Sequence, residues 1–274
     1  DFNDSLLKHL GGTWDNPLFD GPEAIAKTDL TDWRTSASRL FNSIYGEVRI
    51  AAIKDPRLCQ LLDFWMQVFF ACGYSEQDIF IVHVLRDPVE VALSQQQRSR
   101  DNPAFYEIGG QLVEGAALWL SLSAQALSQT RELQNYFVTY PELLSNPRGV
   151  LLKLSDFLAL TPDQKQIDNF CEHFVDANLH RSVSAPSLTE FLRSEFPQVM
   201  EFNDELQMLG RNDTFLSVAI DNALQVYRDP GTQLAISIAM APAISRLSDK
   251  SRSDRLEVEQ SADIITDLNE QLKE

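Results

Sequence analysis

The 274 residues, 44% hydrophobic and 23% charged, carry 40 acidic side chains against 23 Lys and Arg, a formal net charge of −17. A chain of this length and composition buries a sizeable core and is not disordered. Its acidity excludes a general nucleic-acid binder, which needs a basic surface, but not a small anionic ligand, for which a few local cations suffice.

Cys59, Cys72 and Cys171 are odd in number, widely spaced and set among apolar neighbours. They read as buried thiols of a reducing compartment, and a cytoplasmic location is expected. The four histidines lack zinc-ligand spacing, so no metal is expected. No run approaches the roughly 18 uninterrupted apolar residues of a membrane span. The sequence begins at Asp1 without a methionine, and the expectation is a piece of a longer polypeptide.

In chain order, residues 2–10 have helical spacing, and 22–46 continue helically to a glycine stop. VRIAAI (48–53) is a short β-branched run that predicts a strand. Residues 57–73 predict a helix closed by Gly73. IFIVHVL (79–85) predicts a second strand, followed by a helix from Pro88. Residues 105–131 predict a long helix, YFVTY (136–140) a third strand, and 147–160 a further helix. Short apolar strands alternating with helices predict an α/β fold, a parallel sheet covered by helices. Ligands of such sheets bind beyond the carboxyl ends of the strands.

From about residue 183 the pattern is helical only, with sixteen acids against eight Lys and Arg. The expected division is a domain at 1–182, a helical extension at 183–250 and a helical linker or short coiled-coil segment at 251–274. In that last segment Val258, Ile265, Leu268 and Leu272 have heptad-like spacing. This helix is a candidate for oligomer formation or for connection to a fused domain; a helix packed back on the domain is the alternative.

The stretch VHVLRDPVEVALSQQQRSR (82–100) carries the chemistry. Asp87 suits a helix cap and Pro88 the first helical position, which leaves the helix amino end as an expected anion site. Arg86 stands at the strand end; Ser94 lies eight residues on, and Arg98 one further turn along nearly the same face. Two arginines and a hydroxyl can converge on one phosphate. An ordinary strand-end salt bridge fits the same residues, and Glu90 lies near that face.

The pattern R-D-P-x-x-x-A-x-S-x-x-x-R, formed by Arg86, Asp87, Pro88, Ala92, Ser94 and Arg98, resembles the 3′-phosphate-binding segment of sulfotransferases, in particular bacterial ones. These enzymes use 3′-phosphoadenosine 5′-phosphosulfate (PAPS). The resemblance implies a sulfotransferase-like fold related to P-loop NTPases, with Arg86, Ser94 and Arg98 as cofactor-binding residues. VRIAAIKDPRLCQLLDFW (48–65) is similar to a strand-loop-helix of the family. There Lys54 would be catalytic, neutralising charge on the bridging oxygen as the sulfuryl group leaves. Asp55 and Arg57 are candidates to touch acceptor or cofactor, with a helix cap and an ion pair as the plainer reading. YFVTYPELLSNPRGVLLKLSDFLAL (136–160) resembles a third family segment and would bring Tyr140 near the nucleotide, although Pro141 stands where the family often has an acid. CEHFVDANLHRS (171–182) is similar to a fourth, with His180 and Arg181 as candidates.

A PAPS enzyme also needs a glycine- and serine-rich loop after its first strand to cradle the 5′-phosphosulfate. HLGGTWD (9–15) follows a helical pattern instead, and no G-x-x-x-x-G-K-[ST] is present. The expectation is a fragment lacking that N-terminal loop. The implied function is sulfuryl transfer from PAPS to a hydroxyl or amine of a small molecule or glycan. A non-catalytic sulfotransferase-like interaction module and a nucleotide-dependent phosphotransferase are the competing readings.

Overall fold

The computed structural model describes residues 1–102, 108–174, 185–210 and 216–271, with side chains as far as Lys250. In chain order the elements are helices α1 (Phe2–His9), α2 (Gly21–Lys27), α3 (Thr31–Tyr45) and α4 (Leu58–Ala71), strand β1 (Phe80–Leu85), and helices α5 (Pro88–Asp101) and α6 (Leu112–Thr130). Strand β2 (Gln134–Thr139) follows, then helices α7 (Tyr140–Ser145), α8 (Pro147–Phe157), α9 (Gln164–Asn169), α10 (Pro186–Glu195), α11 (Pro197–Leu209), α12 (Leu216–Arg228) and α13 (Pro230–Gln271).

The two strands pair in parallel, in register from Phe80 opposite Gln134 to Leu85 opposite Thr139. Their pairing fits the α/β expectation, with helices connecting them and a helical region after them. The expected strand at 48–53 is not one: that segment has no regular structure, and Val48, Ile50 and Ile53 are exposed. A β-branched run becomes a strand only where a neighbouring edge satisfies its amides and carbonyls. Among the described residues, β1 is hydrogen-bonded to β2 alone. Cover is correspondingly uneven. Leu85 and Phe137 are buried in the core, whereas Val82 and Val84 on the opposite face of β1 are 40% and 57% exposed. The expected helix at 22–46 is two helices separated by Thr28–Leu30, because Asp29 turns the chain by accepting from the Thr31 amide at 3.0 Å.

Two apolar cores lie side by side. One gathers Leu6, Leu7, Ile25, Phe41, Phe64 and Trp65 from α1 to α4. The other runs from Leu85 and Val89 through α6 and β2 to Leu206, Leu224 and Met240, so α10 to α13 share a core with β1, α5 and α6. Helix α6 joins the cores with polar side chains. Gln125 donates to the Phe19 carbonyl (2.9 Å) and accepts from the Gly21 amide (3.2 Å). Gln129 donates to the Cys59 carbonyl (2.6 Å) and accepts from the Asp63 amide (3.0 Å). The Gln125 bonds satisfy loop and helix-start groups before and at α2, and the Gln129 bonds engage backbone within α4.

Helices α5 and α6 approach closely at Gly115, where an added Cβ would lie 2.8 Å from Cα of Ala92. Two small residues thus set how near α5 sits to the rest of the core. Helix α13 is continuous from Pro230 to Gln271, so residues 251–271 of the expected linker extend a helix whose earlier part is core.

Candidate functional site

Both strands end at the same level. Arg86 follows Leu85, Tyr140 follows Thr139, and Leu85 pairs with Thr139. The two side chains therefore emerge together, and the Arg86 guanidinium carbon lies 4.7 Å from the centroid of the Tyr140 ring. Gly210, just after α11, lies against Thr139 and so brings the C-terminal helices up to the strand ends.

Asp87 caps α5 as expected, accepting from the amides of Val89 (2.8 Å) and Glu90 (3.2 Å). Pro88 has no amide hydrogen, and the Val91 amide bonds to the Asp87 carbonyl. Every amide in the first turn is thereby used, so the free helix terminus expected as an anion site is corrected: Asp87 already supplies its negative charge. An anion placed here would meet side chains, not free helix amides.

Those side chains form a stripe of four-residue spacing. Glu90, 7% exposed, accepts from Arg86 Nε at 3.1 Å, so the buried carboxylate pairs with the strand-end arginine and not with Arg98. The bond uses Nε only; the two Nη groups make no hydrogen bond among the described residues. Ser94 is half-buried and Arg98 exposed, and neither side chain has a hydrogen-bond or ion-pair partner among the described residues. At 1.5 Å per residue they stand about 6 and 12 Å further along α5 than Glu90. The surface thus offers the Arg86 Nη pair beside an aromatic ring, a hydroxyl and a second guanidinium, a donor set suited to a phosphate.

Lys54 is exposed in the irregular segment before α4, and it does not end a strand. Its neighbours are held firmly. Arg57, with a side chain 18% exposed, pairs with Asp1 and Asp4 (both 2.7 Å) and Asp55 (2.8 Å). Asn3 donates to Asp55 at 2.9 Å and accepts from Trp65 Nε1 at 3.0 Å. Burial alone would raise the Asp55 pKa, but bonds from Arg57 and Asn3 outweigh it and hold the carboxyl below its ordinary value. Asp55 and Arg57 therefore have protein partners that tie α1 to the turn after Lys54. His180 and Arg181 lie outside the described residues.

Neither strand leads into a glycine-rich loop; β1 runs through Arg86 and Asp87 into α5, and β2 directly into α7. The 9–15 segment follows α1, not a strand. The three cysteines are free, and burial pushes the Cys59 thiol up to about 11, leaving it unreactive near neutral pH. Among the described residues no three His, Cys, Asp or Glu side chains gather as a metal site, and no helix is long and apolar enough to cross a membrane.

A family model described as the sulfotransferase domain matches residues 31–190, more than half of the chain, including both strands, α5 and Tyr140. The chain belongs to the sulfotransferase family, and its class of chemistry is sulfuryl transfer. No curated protein and no solved structure gives a significant match.

Proposed function

We propose that the protein transfers a sulfuryl group from PAPS to a hydroxyl or amine of a small molecule or saccharide. Arg86, Ser94 and Arg98 hold the 3′-phosphate of the donor, and Tyr140 lies beside the nucleotide. The carrying observation is the convergence of Arg86 and Tyr140 at the paired strand ends, with the Ser94 hydroxyl and Arg98 guanidinium, which have no partner among the described residues, continuing the stripe along α5.

In this reading the acceptor oxygen or nitrogen attacks sulfur in line. The new bond to sulfur forms as the bond from sulfur to the bridging phosphate oxygen breaks, a base takes the acceptor proton, and adenosine 3′,5′-bisphosphate leaves. Lys54 stabilises the negative charge that grows on the bridging oxygen. Holding the 3′-phosphate fixes the donor's position and contributes through orientation.

The residues fit the 3′ half of this donor: they present cationic and hydroxyl donors, and a carboxylate that engages only one nitrogen of Arg86. The 5′-phosphosulfate would need a cradle of backbone amides, and none of the described loops after a strand has that form. Incubation with PAPS and a panel of saccharide, phenol and amine acceptors, following adenosine 3′,5′-bisphosphate by chromatography, tests the proposal. Acceptor-dependent release is expected; no release from PAPS, with acceptor-dependent conversion of ATP to ADP in a parallel incubation, would instead favour phosphotransfer.

A further inference from the structure

The Glu114 carboxylate is fully buried at the start of α6, in the heart of a network that spans four segments. It accepts from the amides of Gly109 (3.2 Å) and Gln111 (3.3 Å). Arg246 of α13, 132 residues away, donates through Nη2 to both of its oxygens at 2.7 and 2.9 Å. The turn that Glu114 grips is also gripped from the other side. Gln95 of α5, itself buried, donates to the Ile108 carbonyl (3.2 Å), and Gln96 donates to the Gly110 carbonyl (3.1 Å). Gly109 lies between them at φ 94°, where an added Cβ would sit 2.3 Å from Gln95 Cγ.

Gln95 and Gln96 directly follow Ser94. A helix held by two consecutive side chains to one turn cannot rotate about its axis, so the turn at 108–111 decides where Ser94 and Arg98 point. The turn in turn depends on a buried carboxylate, whose charge needs a cation. Arg246 supplies it, from a helix outside residues 31–190. We propose that Glu114 and Arg246 are positioning residues for the donor site: the C-terminal helix fixes the rotational setting of α5, and through it the phosphate-binding side chains. This rests on the reading that Ser94 and Arg98 hold the 3′-phosphate.

The test is calorimetric titration of adenosine 3′,5′-bisphosphate into the full chain and its Arg246→Met, Arg246→Lys and Glu114→Gln/Arg246→Met variants, with hydrogen exchange of the Gly109 and Gln111 amides measured in parallel. Arg246→Met strands the Glu114 charge, and affinity is expected to fall on the order of tenfold or more, the loss expected when a charge-assisted hydrogen bond to the phosphate is misaligned. Arg246→Lys restores part of the loss. The double variant removes both charges while the amide oxygen of its new glutamine can still accept, and it is expected to bind more tightly than Arg246→Met alone. Exchange at Gly109 and Gln111 rises in Arg246→Met while the amides of β1 and β2 stay protected. Unchanged affinity in folded Arg246→Met, with only a lowered melting temperature, would overturn the positioning role. Should Arg246→Met prove unfolded, Arg246→Lys decides the matter: its affinity must fall below wild type with faster exchange at the two amides, and wild-type affinity there would overturn the positioning role. Failure of the wild-type chain to bind the bisphosphate would instead remove the donor-site reading itself.

Discussion

The Arg86 guanidinium lies over the Tyr140 ring, its carbon 4.7 Å from the ring centroid, because the residues before them, Leu85 and Thr139, are register partners in a parallel pair. The ring screens one face of the cation while Glu90 fixes Nε, so the Nη groups have a defined direction. Cation–π contacts of this kind contribute about 0.5–2 kcal/mol. Tyr140→Phe keeps the ring and is expected to bind adenosine 3′,5′-bisphosphate within about twofold of wild type. Tyr140→Ala is expected to weaken binding roughly 2- to 30-fold, the same energy expressed as affinity. Calorimetry on both variants checks this.

Lys54 carries a different expectation. If it stabilises charge that develops only during transfer, Lys54→Ala lowers kcat by about 10²–10³-fold and leaves the bisphosphate affinity within a few-fold of wild type. Steady-state kinetics of donor consumption, paired with product binding, separates that outcome from a general loss of nucleotide affinity.

The contact of Gly115 with Ala92 predicts a steric response. Gly115→Val places branched carbons into backbone 2.8 Å away, and α5 must shift outward or α6 must bend. Overpacking of this kind costs about 1–3 kcal/mol. Urea denaturation is expected to show a lower midpoint, with the bisphosphate affinity of the folded variant reduced because α5 carries Ser94 and Arg98, the proposed phosphate contacts.

Much of this arrangement is legible in the residues themselves. The apolar run ending at Leu85, the Asp87-Pro88 turn and the polar helix beyond specify β1 and α5 locally, and Asp87 caps the helix that the pattern announces. What periodicity does not carry is partnership. VRIAAI has the composition of a strand, yet strand formation depends on an edge that no local property supplies. The pairing of Glu90 with Arg86 has an i,i+4 spacing that sequence contains, but the burial of Glu90, 7% exposed, is set by packing, which spacing alone does not give. Arg246 is out of reach of any local reading, since its partner lies 132 residues away and in a different helix.

Burial of His83 gives a pH prediction. Its ring stacks on Phe137 with centroids 4.7 Å apart, and Nε2 lies 2.9 Å from Asn135 Oδ1. Because Asn135 Nδ2 donates to the carbonyls of Thr130 and Leu133, Oδ1 is the acceptor facing His83 and the ring donates through Nε2. Burial disfavours the charged ring more than the Asn135 bond favours it, so the pKa lies below the ordinary 6.5. The unfolded chain then takes up a proton near pH 6.5 while the folded chain resists it. His83 therefore contributes stability above pH 6.5 that is lost as pH falls through its lowered folded value, with a slope of at most about 1.4 kcal/mol per pH unit. Urea midpoints of wild type measured from pH 7.5 down to 5.5 are expected to fall more steeply than those of His83→Phe, which has no such proton to exclude. Parallel slopes would show that the ring accepts its proton in the folded state.

The most direct test of the donor site is titration of adenosine 3′,5′-bisphosphate against wild type and Arg86→Ala, with adenosine 5′-monophosphate as the control lacking the 3′-phosphate. Charge-assisted bonds of about 1.5–3 kcal/mol to that phosphate predict a loss of roughly 10- to 150-fold for Arg86→Ala with the bisphosphate, and no comparable loss with the monophosphate. Equal affinity of wild type and Arg86→Ala for the bisphosphate would contradict the account.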